Sequence, residues 1–113
     1  MDNEMEMTNL WEETARVLGR HELDFDRDVI QVQIGDGYIE KELFKMMAMA
    51  INYDSGYGSA EIRMDLIIIG KDWWLERDEY DGSEWWKFLT MPPLMNTDAG
   101  APKLTTGDYE EEE

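Results

Sequence analysis

The chain has no cysteine, which removes disulfides, thiolate nucleophiles and Cys-ligated metals from consideration and suits the cytosol. Histidine occurs once, as His21, so a Ser-His-Asp triad or a His-rich metal site has almost nothing to be built from. Basic residues are scarce: 10 Lys and Arg stand against 27 Asp and Glu, for a net charge of −17. Nucleic acid and anionic lipid repel such a surface, so partners selected by electrostatics are basic proteins. Long apolar runs are also missing. Leu66–Ile69 and Met46–Ile51 are the longest, far short of the roughly 18 apolar residues of a membrane span. Met1–Met7 carries three acids and no base, unlike a secretory leader. The expectation is a protein of the cytoplasm.

What is present argues for a folded domain. Hydrophobic residues make up 42% of the 113 positions and include five Trp, too much apolar material for a disordered chain. The length is that of one domain. The acid excess is not confined to the ends, although 1–7 is an acidic extension and 94–113 a weakly patterned tail ending in Glu110–Glu113. The expected domain is 8–93, with the tail flexible because it has little surface to bury.

Asn9 with Glu12 three residues on resembles a capping box, and Trp11, Ala15 and Leu18 share a helical face. A helix over 9–19 closed by Gly19 follows, then an irregular polar stretch over 21–28. In Asp28–Ile34 the alternation of Ile30, Val32 and Ile34 with Gln31 and Gln33 predicts a half-buried strand, and Gly35–Gly37 a turn before a short return at Tyr38 and Ile39. Leu43, Met47, Ala50 and Ile51 make a stripe for a second helix over 40–52. Leu66–Ile69 reads as a central strand buried on both faces. Residues 72–80 and 84–90 read as a hairpin joined at Asp81-Gly82-Ser83, stopped by Pro92 and Pro93. The expected fold is α+β: two helices packed on a small, mostly antiparallel sheet, in the order α-β-α-β-β-β. The expected core holds Trp11, Leu18, Ile30, Val32, Leu43, Met47, Ile67 and one Trp of each pair.

The run DSGYGSAEIRMDLIIIGKDWWLERDEYDGSEWW over Asp54–Trp86, with HELDFDRDVIQVQIGDGYIEKELF upstream of it, resembles small uncharacterised proteins of bacteriophages and prophages of gut bacteria. The resemblance covers roughly 14–92. It implies a phage context and expression inside a bacterial host, and it brings no established activity.

Several local patterns invite chemistry. Asp24, Asp26 and Asp28 are spaced as at the start of an EF-hand loop, but Val29 and Gly35 stand where Gly and Glu are required; a solvated acidic loop is the simpler account. Gly56–Gly58 leads toward a strand and lacks phosphate-loop spacing. His21 has no nucleophile placed for it and suits a helix end. Glu76, Asp78, Glu79, Asp81 and Glu84 surround the hairpin tip. Carboxylate pairs beside aromatics can hydrolyse glycosides, yet a chain this small leaves little room for a deep cleft, and the five read better as a negatively charged knob. Adjacent Trp residues on a strand point to opposite faces. One of each pair faces the helices and the other faces solvent, a partner or a second subunit; Trp74 and Trp86 are assigned to the contact surface beside the five carboxylates.

These features point away from an enzyme, and no cofactor is called for. The expected function is a phage-encoded acidic inhibitor that occupies a basic host nucleic-acid-binding protein by mimicking a duplex, as in anti-restriction or anti-CRISPR action. The alternative is a non-enzymatic phage adaptor or accessory protein that binds through exposed tryptophans, with a homodimer as one arrangement.

Overall fold

A period of two residues organises the sheet at the centre of the domain. In the computed structural model, which describes residues 7–56 and 58–106, five strands form one antiparallel sheet. They are β2 (Gln31–Ile34), β3 (Gly37–Ile39), β5 (Leu66–Ile69), β6 (Trp73–Tyr80) and β7 (Ser83–Thr90), in the spatial order β3-β2-β5-β6-β7. Two-residue strands β1 (Thr8–Asn9) and β4 (Asn52–Tyr53) pair separately. Three helices, α1 (Leu10–Arg20), α2 (Phe25–Asp28) and α3 (Lys41–Met49), complete an α+β fold. Among the described residues no helix is long and apolar enough to cross a membrane.

The strand registers decide which side chains meet. Val32, Ile68, Leu75 and Phe88 lie in one cross-strand row, and the first three are fully buried. With Leu10, Leu18, Phe25, Phe44, Trp73 and Trp86 they form the core beneath the helices. β5 is central, as its apolar run suggests, but only Leu66 and Ile68 are buried; Ile67 and Ile69 face the uncovered side and are half-buried.

The order differs from the expected one in identifiable places. Residues 21–28 hold the extra helix α2. Asp24 caps it, accepting a hydrogen bond from the Arg27 N–H at 3.0 Å, and Asp28 Oδ2 accepts one from the Asp24 N–H at 2.7 Å. Two of the three spaced aspartates therefore serve a helix terminus. Because Val29 closes α2 and is buried, the alternation starts at Gln31 and leaves Ile30 63% exposed. α1 runs one residue past Gly19, so Glu22 takes the left-handed turn at φ 61. A side chain is disfavoured in that conformation. Glu22→Gly is expected to raise stability by about 1 kcal/mol, read as a melting temperature a few degrees higher.

The core of α1 also departs from its apolar stripe: Glu13 and Thr14 are buried while Ala15 is exposed. In α3, Phe44 and Ala48 are buried, and Leu43 and Met47 are each 48% exposed. The expected core at Ile30, Leu43, Met47 and Ile67 is thus replaced by Val29, Phe44, Ala48 and Ile68.

Close approach fixes Gly70. A Cβ there would lie 2.0 Å from Trp73 Cε2, and its N–H donates to the Trp73 carbonyl at 2.8 Å. Gly70→Ala must displace an indole anchored in the core. The expected loss is about 1–3 kcal/mol, measured by denaturant unfolding.

Residues 91–106 carry no helix or strand and, Thr105 apart, are exposed. The run Glu110–Glu113 lies outside the described residues.

Candidate functional site

The hairpin β6–β7 decides where the tryptophans and carboxylates go. Asp81 at φ 53 and Gly82 at φ 89 form a two-residue turn, the class that Asp-Gly favours, and Tyr80 pairs with Ser83. A three-residue turn would put Trp74 and Trp86 on the same face. The two-residue turn moves the register by one, which exchanges the faces of β7. Trp85 therefore lies opposite Asp78 and faces outward, whereas Trp86 lies opposite Arg77 and is 4% exposed. Trp73 is the inward member of the first pair, and Trp74 is outward and half-buried.

Inside the hairpin lies a charged cluster that includes Glu84, which the sequence reading assigns to the surface. Arg77 is buried, with Nη2 2.9 Å from Glu84 Oε1 and Nη1 3.3 Å from Glu13 Oε2. Its Nη2 also donates to Tyr53 Oη at 2.9 Å, and that hydroxyl donates to Glu13 Oε1 at 2.6 Å. The guanidinium lies 4.8 Å from the Trp86 ring centroid, and the Trp86 indole N–H donates to Thr14 Oγ1 at 2.9 Å. Glu84 also accepts the backbone N–H groups of Glu61 at 2.6 Å and Ile62 at 3.2 Å. The cluster joins α1, β4, β6, β7 and the 61–62 loop. Burial pushes the Tyr53 phenol well above its ordinary range, the Glu13 carboxylate adds to this, and Arg77 opposes it. Burial alone would lower the Arg77 pKa, but the charge of Glu13 and the hydrogen bonds to Tyr53 and Glu84 raise it above its ordinary value. These groups bond one another and are closed to solvent, and Arg77 Nε alone among them is buried without a hydrogen-bond partner. They hold the fold rather than a substrate.

The five hairpin carboxylates consequently do not form one knob. Glu84 is inside. Glu76 and Asp78 face the uncovered side of the sheet, where Glu76 Oε2 accepts the Trp74 indole N–H at 2.8 Å. Glu79 is exposed on the helix side opposite Glu84, and Asp81 is exposed in the turn. Glu84 and Trp86 are removed from the contact surface; Trp85 takes the place given to Trp86.

What remains accessible is the sheet face away from the helices. Its rows run Gln33–Ile67–Glu76–Lys87 and Gln31–Ile69–Trp74–Leu89, with Asp78–Trp85 beyond them. Ile69, Trp74 and Leu89 thus form one apolar row, and Trp85 stands two rows away beside Asp78, with the charged pair Glu76–Lys87 between them. Trp85 is 38% exposed. Trp85 was missed as an outward residue because one residue of turn length reverses the assignment; Asp-Gly as a two-residue turn was the signal that could have found it.

The remaining patterns have local roles. Gly56 donates its N–H to Asp54 Oδ1 at 3.1 Å, and the Ser55 carbonyl accepts the Glu84 N–H at 2.8 Å, which ties this loop to β7; Tyr57 lies outside the described residues. His21 caps α1 and stacks on Phe88 with ring centroids 3.6 Å apart. No protein-family model matches the chain, and no curated protein or solved structure matches it either.

Proposed function

We propose that the protein is a non-catalytic binding module that presents the uncovered face of its sheet to a basic protein partner. The observation that carries this reading is the outward face itself, left without a covering helix, where the row Ile69–Trp74–Leu89 and, beyond the pair Glu76–Lys87, Trp85 beside Asp78 place two tryptophans among charged residues. Tryptophan flanked by charge is the composition of an interface centre and its rim. The net charge of −17 selects a basic partner and repels nucleic acid. The resemblance to phage and prophage proteins supports a partner inside a bacterial host, and such a module acts as an adaptor or an inhibitor.

Duplex mimicry draws support from the acid excess, since most of the described carboxylates are exposed. It draws none from the hairpin, because Glu84 is buried and Glu79 stands on the opposite side from Glu76 and Asp78. On this reading an inhibitor of a host nucleic-acid enzyme would block it by contact at the Trp face, with charge speeding the approach.

The test is capture of bacterial lysate proteins on the immobilised chain at low salt, with elution by rising salt. The expected result is a discrete basic protein that is lost with Trp74→Ser and Trp85→Ser together. Capture unaffected by those substitutions would contradict the proposal.

A further inference from the structure

A second surface lies on the helical layer, and it is independent of the sheet face. The apolar arc of α3 is wider than the part it buries. Phe44 and Ala48 point into the core, but Leu43 and Met47 are each 48% exposed and Met46 is 66% exposed. These three positions follow one another along a single side of the helix at i, i+3 and i+4. Of the three, Met47 lines a cleft of about 240 Å³ that opens between α3, β3 and the 61–63 loop, floored by Ile34, Ile39, Ile51 and Ile62. A shallower depression shares Ile39 and Met47 with it and reaches Tyr38 and Glu40. The apolar surface is therefore continuous from the loop across α3 to the sheet edge.

Its border is acidic. Glu40 and Glu61 line the depressions and are exposed. The nearby cations are engaged elsewhere. Arg63, which itself lines the cleft, is paired with Asp65 at 2.7 Å. Lys41 Nζ donates to the carbonyls of Asp26 and Val29 at 3.1 and 2.6 Å, and Lys45 lies 5.1 Å from the Trp11 ring centroid.

We propose that this apolar cleft and the depression beside it, with Leu43 and Met47 on their α3 wall, receive a basic amphipathic helix of a partner protein. Methionine suits the contact because its unbranched, polarisable side chain repacks around varied apolar anchors. Anchors at i, i+3 or i+4, and i+7 would enter the cleft, and lysine or arginine beside them would meet Glu40 and Glu61. A partner strand fits less well, since β3 is three residues long and in its register with β2 only Tyr38 turns its backbone groups outward. A second copy is disfavoured by the repulsion between chains of charge −17.

The experiment uses the full chain with 13C-labelled methionine methyls and 15N-labelled tryptophan indoles, titrated with a Lys/Leu amphipathic peptide of about 18 residues and with a scrambled peptide of the same composition. The expected result is saturable shifts at Met46 and Met47 with the amphipathic peptide, at least about tenfold weaker with the scrambled one and with Leu43→Ser plus Met47→Ser. Affinity should also fall as salt rises from about 50 to about 300 mM. Leu43 and Met47 are half-exposed, so the doubly substituted chain should stay folded, which its remaining methyl spectrum reports. Four results would overturn the proposal: no saturation, equal binding of the scrambled peptide, shifts confined to the Trp74 and Trp85 indoles, or methyl shifts on dilution of the protein alone. The last would assign the cleft to a second copy.

Discussion

Arg77→Ala is expected to lower the unfolding free energy by about 3–5 kcal/mol, the cost of leaving buried charge without its partner. The substitution strands the carboxylates of Glu13 and Glu84, both about 5% exposed, and removes the cation that lies over Trp86. For a domain whose total stability is about 5–15 kcal/mol, that is a large fraction, and the melting temperature should fall by more than about 10 °C. Arg77→Met with Glu13→Leu should recover part of the loss, because an apolar replacement of a buried pair is often neutral. Equal losses in the single and double variants would show that the pairing is not the source. The same cluster gives a pH signature. Tyr53 is protonated when folded and its pKa is raised, so its contribution is complete below the unfolded phenol's value, about 10, and declines as pH rises above that. Absorbance of ionised tyrosine should show one phenol that titrates only with unfolding, and Tyr53→Phe should remove that component.

Glu84→Ala is the second large effect, again about 3–5 kcal/mol. One carboxylate holds Arg77 and two backbone N–H groups, so its loss leaves the Glu61 and Ile62 N–H groups without that acceptor and the buried Arg77 with Glu13 and Tyr53 alone. Asp78→Lys and Asp81→Lys, a few residues away, should be neutral or stabilising because they reduce repulsion on a surface already rich in acids. Chemical denaturation of the three variants measures the contrast. Similar stabilities would mean that Glu84 is solvated like its neighbours.

The strands were legible because alternation and the Trp pairs constrain them strongly. The meander of β5, β6 and β7 agrees with the sequence reading to within one or two residues at each end. Faces were harder to read. Ile30 looked like the first inward residue of β2, but the one-turn helix α2 ends at its doorstep and fixes Val29 inward instead. The Met-rich side of α3 read as core because amphipathic periodicity shows which residues share a face and not whether anything covers it. Glu13 and Glu84 were illegible as interior residues, since a buried carboxylate depends on a cation brought from another strand. Glu13 and Arg77 are 64 positions apart. The site suffered most from a single residue of turn length, which exchanged Trp85 for Trp86.

The most direct test of the account compares three forms of the chain against the captured basic partner: unchanged, Trp74→Ser with Trp85→Ser, and Asp78→Lys with Asp81→Lys. Binding through the uncovered sheet face predicts that the tryptophan variant loses at least about tenfold in affinity at every salt concentration. The charge-reversed variant should lose mainly association rate, with a shallower salt dependence. The reverse ranking, with binding abolished by charge reversal and spared by loss of both tryptophans, would contradict the account.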